Sequence, residues 1–230
     1  MKGSVIAVSG IDTGVGKTFA AGTLAAALLR EGRRVITQKI AQTGTDGIPE
    51  DIIEHRRLMG TGLLDADREG HTCPHIFRYP SSPHLAARLE GSEIDVMKIR
   101  RATFALQRQY EIVLLEGAGG LMVPLTPDLL FADYLRDAGY PLLLVTIPRL
   151  GSINHTLLSI EACLKRGITL KGVIYNLYQD PGEPISGDTR DVIRHFLGRW
   201  GCAAPVIDLG TEGFVPSDIM AMFPQRQANP

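Results

Sequence analysis

The stretch Gly10-Ile11-Asp12-Thr13-Gly14-Val15-Gly16-Lys17-Thr18 decides how this chain is read. It follows a short apolar run at 5–8 and leads into an Ala/Leu-rich segment, 18–30, that stops at Gly32. A Gly-rich turn between a strand and a helix aims the unpaired N–H groups of the helix's first turn at one point. The aligned peptide dipoles favour an anion at the same place. Lys17 adds a movable positive charge for the outer phosphates of a nucleotide, and the Thr18 hydroxyl can ligate Mg²⁺. Strand, loop and helix come in the order that a phosphate-binding P-loop requires. The spacing departs from the simple pattern in one respect. Ile11 stands where that pattern has its first Gly, so the loop that begins at Gly10 is one residue longer.

Outward from this loop, apolar runs recur at 34–38, 111–115, 141–147, 171–175 and 205–209. Ile112-Val113-Leu114-Leu115 and Leu142-Leu143-Leu144-Val145 are continuous rather than alternating, as expected of strands buried on both faces of a parallel sheet. Helix-forming segments lie between them at 92–109, 152–166 and 188–200, the last two ending at Gly167 and Gly201. The alternation predicts an α/β fold: a doubly wound, mainly parallel sheet flanked by helices, of the P-loop NTPase type. Residues 43–49 and 179–187 read as surface loops. No repeat or linker is visible, so 1–230 reads as a single domain.

The chain has 230 residues, 44% of them hydrophobic, with 24 Lys and Arg against 25 Asp and Glu. This is enough apolar material for a sizeable core and too little net charge for a disordered chain. With a formal net charge of -1 there is no global positive field to hold nucleic acid or an anionic membrane, so phosphate recognition must be local. Cys73, Cys163 and Cys202 are too few and too dispersed for a disulfide framework. The run at 4–9 is shorter than a signal-peptide core, and no apolar stretch approaches the ~20 residues that cross a bilayer. These features predict a reduced, cytoplasmic protein without nucleic-acid or membrane partners.

Further residues point to the same sheet edge. Leu114-Leu115-Glu116-Gly117-Ala118-Gly119-Gly120 closes a buried strand, and doubly wound sheets bind ligands at the carboxyl ends of their strands. A carboxylate there, beside a P-loop, can hold Mg²⁺; the plain alternative is a tight turn with a solvated Glu. Lys39 ends the second run on the same edge, where it could equally be a solvated surface lysine. Asp51 opens a predicted helix, where an acidic residue is often only a cap. His71, Cys73 and His75 alternate as on one strand face, but Pro74 and the lack of a fourth ligand argue for a structural role. His55 and His195, in polar helix-like settings, carry no predicted role.

Taken together, these motifs resemble the dethiobiotin synthetase family. The resemblance starts at the long P-loop and continues through Lys39, Thr43-Gly44, and Asp51-Ile-Ile-Glu-His-Arg-Arg. It goes on through Ser82-Pro83-His84, Glu116 to Gly120, Leu150-Gly-Ser-Ile-Asn-His155 and Asn176, spanning roughly residues 4 to 177 in order. It implies an ATP-dependent cyclo-ligase that joins CO₂ to 7,8-diaminononanoate. On this resemblance the metal ligands are Thr18, Asp51 and Glu116, and the ion is Mg²⁺. Lys17, Lys39 and Thr13 would act on the phosphates and carbamate. Gly14, Val15, Gly16, Lys17 and Thr18 would bind the nucleotide phosphates, and Asn176 the adenine. Thr43 would contact the carbamate. Gly151, Ser152 and Asn154 would hold the substrate carboxylate across a homodimer interface, at a helix N-terminus suited to an anion. Members of the family often carry Glu where this chain has Gly14, so any contact from that Glu is missing. From Gly210 onward no match is assigned.

The implied chemistry suits the residues. A carbamate oxygen attacking the γ-phosphorus meets accumulated negative charge, which Lys17, Lys39 and a divalent ion would offset. The attacking amine must be unprotonated, and nearby cations favour that form. Two rival readings remain. Another P-loop amide synthetase, of the cobyrinate type, usually carries a glutaminase domain for which 230 residues leave no room. A nucleotide-switched partitioning ATPase has a Lys five residues before the P-loop lysine, where this chain has Asp12.

Overall fold

The computed structural model describes residues 2–178 and 180–223. In chain order, β1 (Ser4–Gly10) leads through the P-loop into α1 (Lys17–Arg30), β2 (Val35–Lys39) and the short β3 (Gln42–Thr43). Then follow α2 (Glu50–Met59), α3 (Asp65–Arg68), β4 (Ile76–Phe77), α4 (Pro83–Leu89) and α5 (Val96–Gln109). The long β5 (Ile112–Gly120) precedes β6 (Pro124–Thr126), β7 (Leu129–Leu130), α6 (Phe131–Ala138) and β8 (Leu142–Thr146). The remainder comprises α7 (Ser152–Lys165), β9 (Leu170–Asn176), α8 (Ile185–Arg199), β10 (Val206–Gly210), β11 (Gly213–Phe214) and α9 (Pro216–Met222).

Seven strands form the main sheet in the order β11-β10-β9-β8-β1-β5-β2. All neighbours pair in parallel except β10 and β11. The continuous apolar runs behave as both-face-buried strands: Val113 to Leu115 and Leu142 to Val145 have no solvent-exposed surface. Helix α1 packs on α2 and on β1, β2 and β5, α5 lies against β5, and α7 lies against β9 and α8. Strand β1 sits between β5 and β8, so the chain leaves it toward one side of the sheet and later crosses to the other. The loop at its carboxyl end therefore opens into the crevice where doubly wound sheets bind ligands.

Element ends differ from the sequence reading where side chains cap differently. Helix α5 starts at Val96 rather than at 92, because the Asp95 carboxylate accepts the Lys98 N–H at 3.0 Å. Ser92 instead donates to the Ala87 carbonyl at 3.2 Å. Helix α8 takes up residues 185–187 of the expected 179–187 loop, and Gln179 lies outside the described residues. Helix α6, absent from the sequence reading, buries Phe131, Ala132, Tyr134 and Leu135 and ends at Gly139 in the left-handed conformation.

Candidate active site

The P-loop is shaped by close backbone approach. Gly16 caps α1 with φ +85°, and a Cβ there would stand 2.2 Å from Asn176 Nδ2, so only Gly fits. A Cβ at Gly10 would meet Val15 Cγ2 at 2.5 Å, which lets the loop fold back over its own start. Inside this curve Lys17 is 6% exposed, and its Nζ donates to the Asp12 carbonyl at 3.0 Å. Burial, reinforced by Lys39, lowers the Lys17 pKa below the ordinary lysine value. The Asp12 carboxylate accepts the Thr13 N–H at 2.7 Å and pairs with Arg149, which ties the P-loop to the segment after β8.

Strand register brings the remaining charges together. Lys39 and Glu116 are directly paired positions of β2 and β5, and the Ile40 N–H donates to the Glu116 carbonyl at 2.9 Å. Their side chains meet at 2.7 Å, Lys39 Nζ to Glu116 Oε1, and the same ammonium reaches Asp51 Oδ2 at 2.6 Å. Thr18 Oγ1 donates to the same Glu116 oxygen at 3.1 Å. Four groups from α1, β2, α2 and β5 thus converge. Burial alone would raise the Glu116 carboxyl, but the Lys39 ammonium overrides it and holds the group well below the usual carboxylate range. Burial likewise opposes the charge on Lys39, yet Glu116 and then Asp51 raise its pKa above the ordinary value.

Asp51 reaches this cluster because α2 is fastened from beneath. Ile52 enters the core, and Arg56, almost wholly buried, binds the Asp67 carboxylate at 2.9 and 2.8 Å and Thr37 Oγ1 at 2.9 Å. Despite its burial, Asp67 stays below its ordinary pKa through the hydrogen bond from Arg56.

Two cavities flank the loop. One, of about 380 Å³, is lined by Gly14, Gly16, Phe19, Asn176 and Tyr178, with the two aromatic rings 6.3 Å apart. Asn176 donates to the Val15 carbonyl at 3.0 Å and accepts the Tyr178 N–H at 3.1 Å, which fixes the rim beside the loop. The other, of about 360 Å³, is lined by Thr13, Thr43, Ser82, Pro83, Ala118 and Gly119. Consecutive residues Thr13 and Gly14 therefore face different compartments.

Comparison with known proteins agrees with this architecture. A family model described as an AAA domain matches residues 4–210. An ATP-dependent dethiobiotin synthetase of Chlorobaculum tepidum is 59% identical over 233 residues, covering 100% of this chain and 95% of that protein. The chain belongs to the dethiobiotin synthetase family. A second ATP-dependent dethiobiotin synthetase, from Haemophilus influenzae, is 51% identical over 178 residues, 77% of this chain and 93% of that one. Among solved structures, the signal recognition particle receptor FtsY of Elizabethkingia anophelis superposes with a TM-score of 0.50 at 16% identity. That match covers 96% of this chain and 65% of the receptor, and it speaks to the fold alone.

Within this dethiobiotin synthetase family member, the structure gathers Thr18, Lys39, Asp51 and Glu116 into one cluster, with Lys17 next in sequence to Thr18 and held on the Asp12 carbonyl, while Thr13 and Thr43 share the second cavity. Gly14, Gly16 and Asn176 line the other cavity, and Val15 is buried behind the loop. Gly151, Ser152 and Asn154 stand apart. Gly151, at φ +85°, precedes α7, Ser152 is buried, and Asn154 is exposed, but none of the three lines either cavity. Their connection to the P-loop runs through Arg149.

The sequence reading missed His55. Its side chain has no solvent exposure, and its Nε2 lies 2.8 Å from Glu116 Oε2. The available signal was its place four residues after Asp51, one turn along the same helix face. Phe19, Tyr178 and Arg149 were missed as well. The alternating His71, Cys73 and His75 go to separate uses: His71 meets Glu69 at 3.2 Å, Cys73 Sγ points at the His75 carbonyl, and His75 Nε2 lies 3.1 Å from the Asp95 carbonyl.

Proposed function

We propose that this protein uses ATP to close the ureido ring of dethiobiotin from 7,8-diaminononanoate and CO₂, with Lys17 and Lys39 as its principal charge-bearing groups. The observation that carries this reading is the Lys39 ammonium held between Glu116 and Asp51, one hydrogen bond from Thr18 of the P-loop. One amine of the substrate adds to CO₂ to form a carbamate. A carbamate oxygen attacks the γ-phosphorus and displaces ADP, leaving a carbamic-phosphoric anhydride. The second amine attacks its carbonyl carbon, closing the ring and expelling phosphate.

The chain's residues would act by position and charge. Lys17 would exchange the Asp12 carbonyl for phosphate oxygens, and the loop N–H groups from Gly14 to Thr18 would hold the phosphate chain. Lys39, held by Glu116 and Asp51 one hydrogen bond from Thr18, would offset charge that develops between carbamate and phosphate. Asn176 and the Phe19/Tyr178 compartment suit a nucleotide base, with an aromatic surface beside a fixed amide. Thr43, with Thr13, would orient the carbamate.

The donors Thr18, Asp51 and Glu116 are all hard oxygen groups, which fits Mg²⁺. These three would hold it, and bound Mg²⁺ neutralises charge on the phosphates. We assign Gly151, Ser152 and Asn154 to the substrate carboxylate in a homodimer. Leu150, 91% exposed beside them, is a surface that a second copy would cover. The proposal includes a single catalytic domain over 1–230 and a cytoplasmic setting; among the described residues no helix is long and apolar enough to cross a membrane.

The test is coupled turnover. ADP release should require diaminononanoate and bicarbonate together, with a product heavier than the diamine by one CO less two hydrogens. Equal ATP hydrolysis without the diamine would reject the ligase reading in favour of a nucleotide switch. Sedimentation of the purified chain tests the dimer.

A further inference from the structure

Glu116 is wholly buried, so each carboxylate oxygen needs a polar neighbour inside the protein. Oε1 is well supplied, accepting from Lys39 Nζ at 2.7 Å and from Thr18 Oγ1 at 3.1 Å. Oε2 faces His55 Nε2 at 2.8 Å. The approach is short but oblique, and neither atom completes a hydrogen bond in this arrangement. The terminal torsion of a Glu is soft, and at 2.8 Å the pair is already within hydrogen-bond distance.

A fully buried imidazole is a costly residue for packing alone, since an apolar side chain would fill the same space without desolvating two ring nitrogens. Helix α2 gives it a more specific geometry. Asp51 and His55 lie one turn apart on one face, so the same helix delivers one carboxylate to Lys39 and one imidazole to the far side of Glu116. Arg56, locked to Asp67 and Thr37, fixes that helix.

We infer that His55 is a positioning residue: its Nε2–H braces Glu116 Oε2, so that Oε1 is presented to Thr18, to Lys39 and to the divalent ion that accompanies ATP. The inference rests on the proposed metal role of Glu116. His55 touches neither substrate nor metal in this scheme and acts through the carboxylate alone, as outer partners of metal ligands commonly do.

The test uses the full-length chain with Mn²⁺ as the probe, titrated by electron paramagnetic resonance in the presence of ADP. A Gln amide nitrogen extends about as far as imidazole Nε2, whereas an Asn amide ends near Nδ1. His55→Gln should therefore keep Mn²⁺ affinity within about 3-fold of wild type, while His55→Asn and His55→Leu weaken it on the order of 10-fold or more. The Mg²⁺ concentration giving half-maximal ADP release should rise by the same factor, with a smaller change in kcat at saturating Mg²⁺. Equal behaviour of the Gln and Asn variants, whether like wild type or equally weakened, overturns the inference. Failure of both amide variants to fold also overturns it and assigns His55 to packing. Glu116→Gln separates the two layers: if it weakens Mn²⁺ binding while Gln and Asn at 55 match, only the bracing role falls. If it leaves Mn²⁺ binding unchanged, the metal role of Glu116 falls with it.

Discussion

Lys39→Met should destabilise the protein without nucleotide or Mg²⁺, and Glu116→Gln in the same chain should return part of that loss. At 2.7 Å and an effective dielectric near 20, the Lys39–Glu116 attraction is about 6 kcal/mol before desolvation is counted. Desolvating two buried charges offsets most of this. The net cost of removing one partner is therefore set by the charge left behind. Lys39→Met keeps the side-chain volume but leaves Glu116 buried without its ammonium, a loss of ~3–5 kcal/mol. For a chain of this size that corresponds to a fall in Tm of roughly 6–20 °C. Glu116→Gln costs less, because Lys39 retains Asp51 at 2.6 Å. The double variant removes both buried charges, so it should be more stable than the sum of the single losses predicts, by ~1–3 kcal/mol. Urea unfolding of the four proteins measures this coupling directly. Additive losses, or a Lys39→Met protein within ~1 kcal/mol of wild type, would refute the claim that these charges stabilise one another in the unliganded fold.

The same cluster predicts an acid dependence. Because the folded Glu116 pKa is depressed, its contribution is present above the ordinary value of 4.5 and is lost as pH falls below it toward the folded pKa. Below pH 4.5 the stability of Glu116→Gln should therefore fall less steeply than wild type, as read by urea midpoints; parallel curves would contradict the shift. Lys17→Ala should lower turnover by at least ~10²-fold, the size expected when a charge contact to the transition state is lost. Initial-rate kinetics with saturating ATP would show otherwise if the lysine only seals the loop. Gly16→Ala should abolish tight ATP binding in calorimetry, since the methyl group would sit 2.2 Å from Asn176 Nδ2 on a backbone at φ +85°; near-normal affinity would show that the loop can relax around it.

How much was legible follows from how local each interaction is. The P-loop could be read outright, because its N–H groups, lysine and hydroxyl lie within nine consecutive residues and need only a strand before and a helix after. The strands were legible because burial on both faces leaves unbroken apolar runs. Lys39 and Glu116 could be placed at strand ends, but their contact depends on β2 and β5 pairing in one register. The burial of Arg56 on α2 against Asp67, eleven positions later, is set by tertiary packing and has no signal in the sequence.

From the one-dimensional chain alone came the phosphate loop and the parallel α/β plan, since each rests on neighbours along the backbone; the ATP-driven ligase reading came from resemblance to the dethiobiotin synthetase family. Only the folded molecule decided that His55 belongs beside Glu116, that Thr13 and Gly14 face different cavities, and that Gly151 to Asn154 stand outside both. Those facts depend on strand order and helix placement, which bring distant segments within a few ångströms and which no short-range pattern encodes.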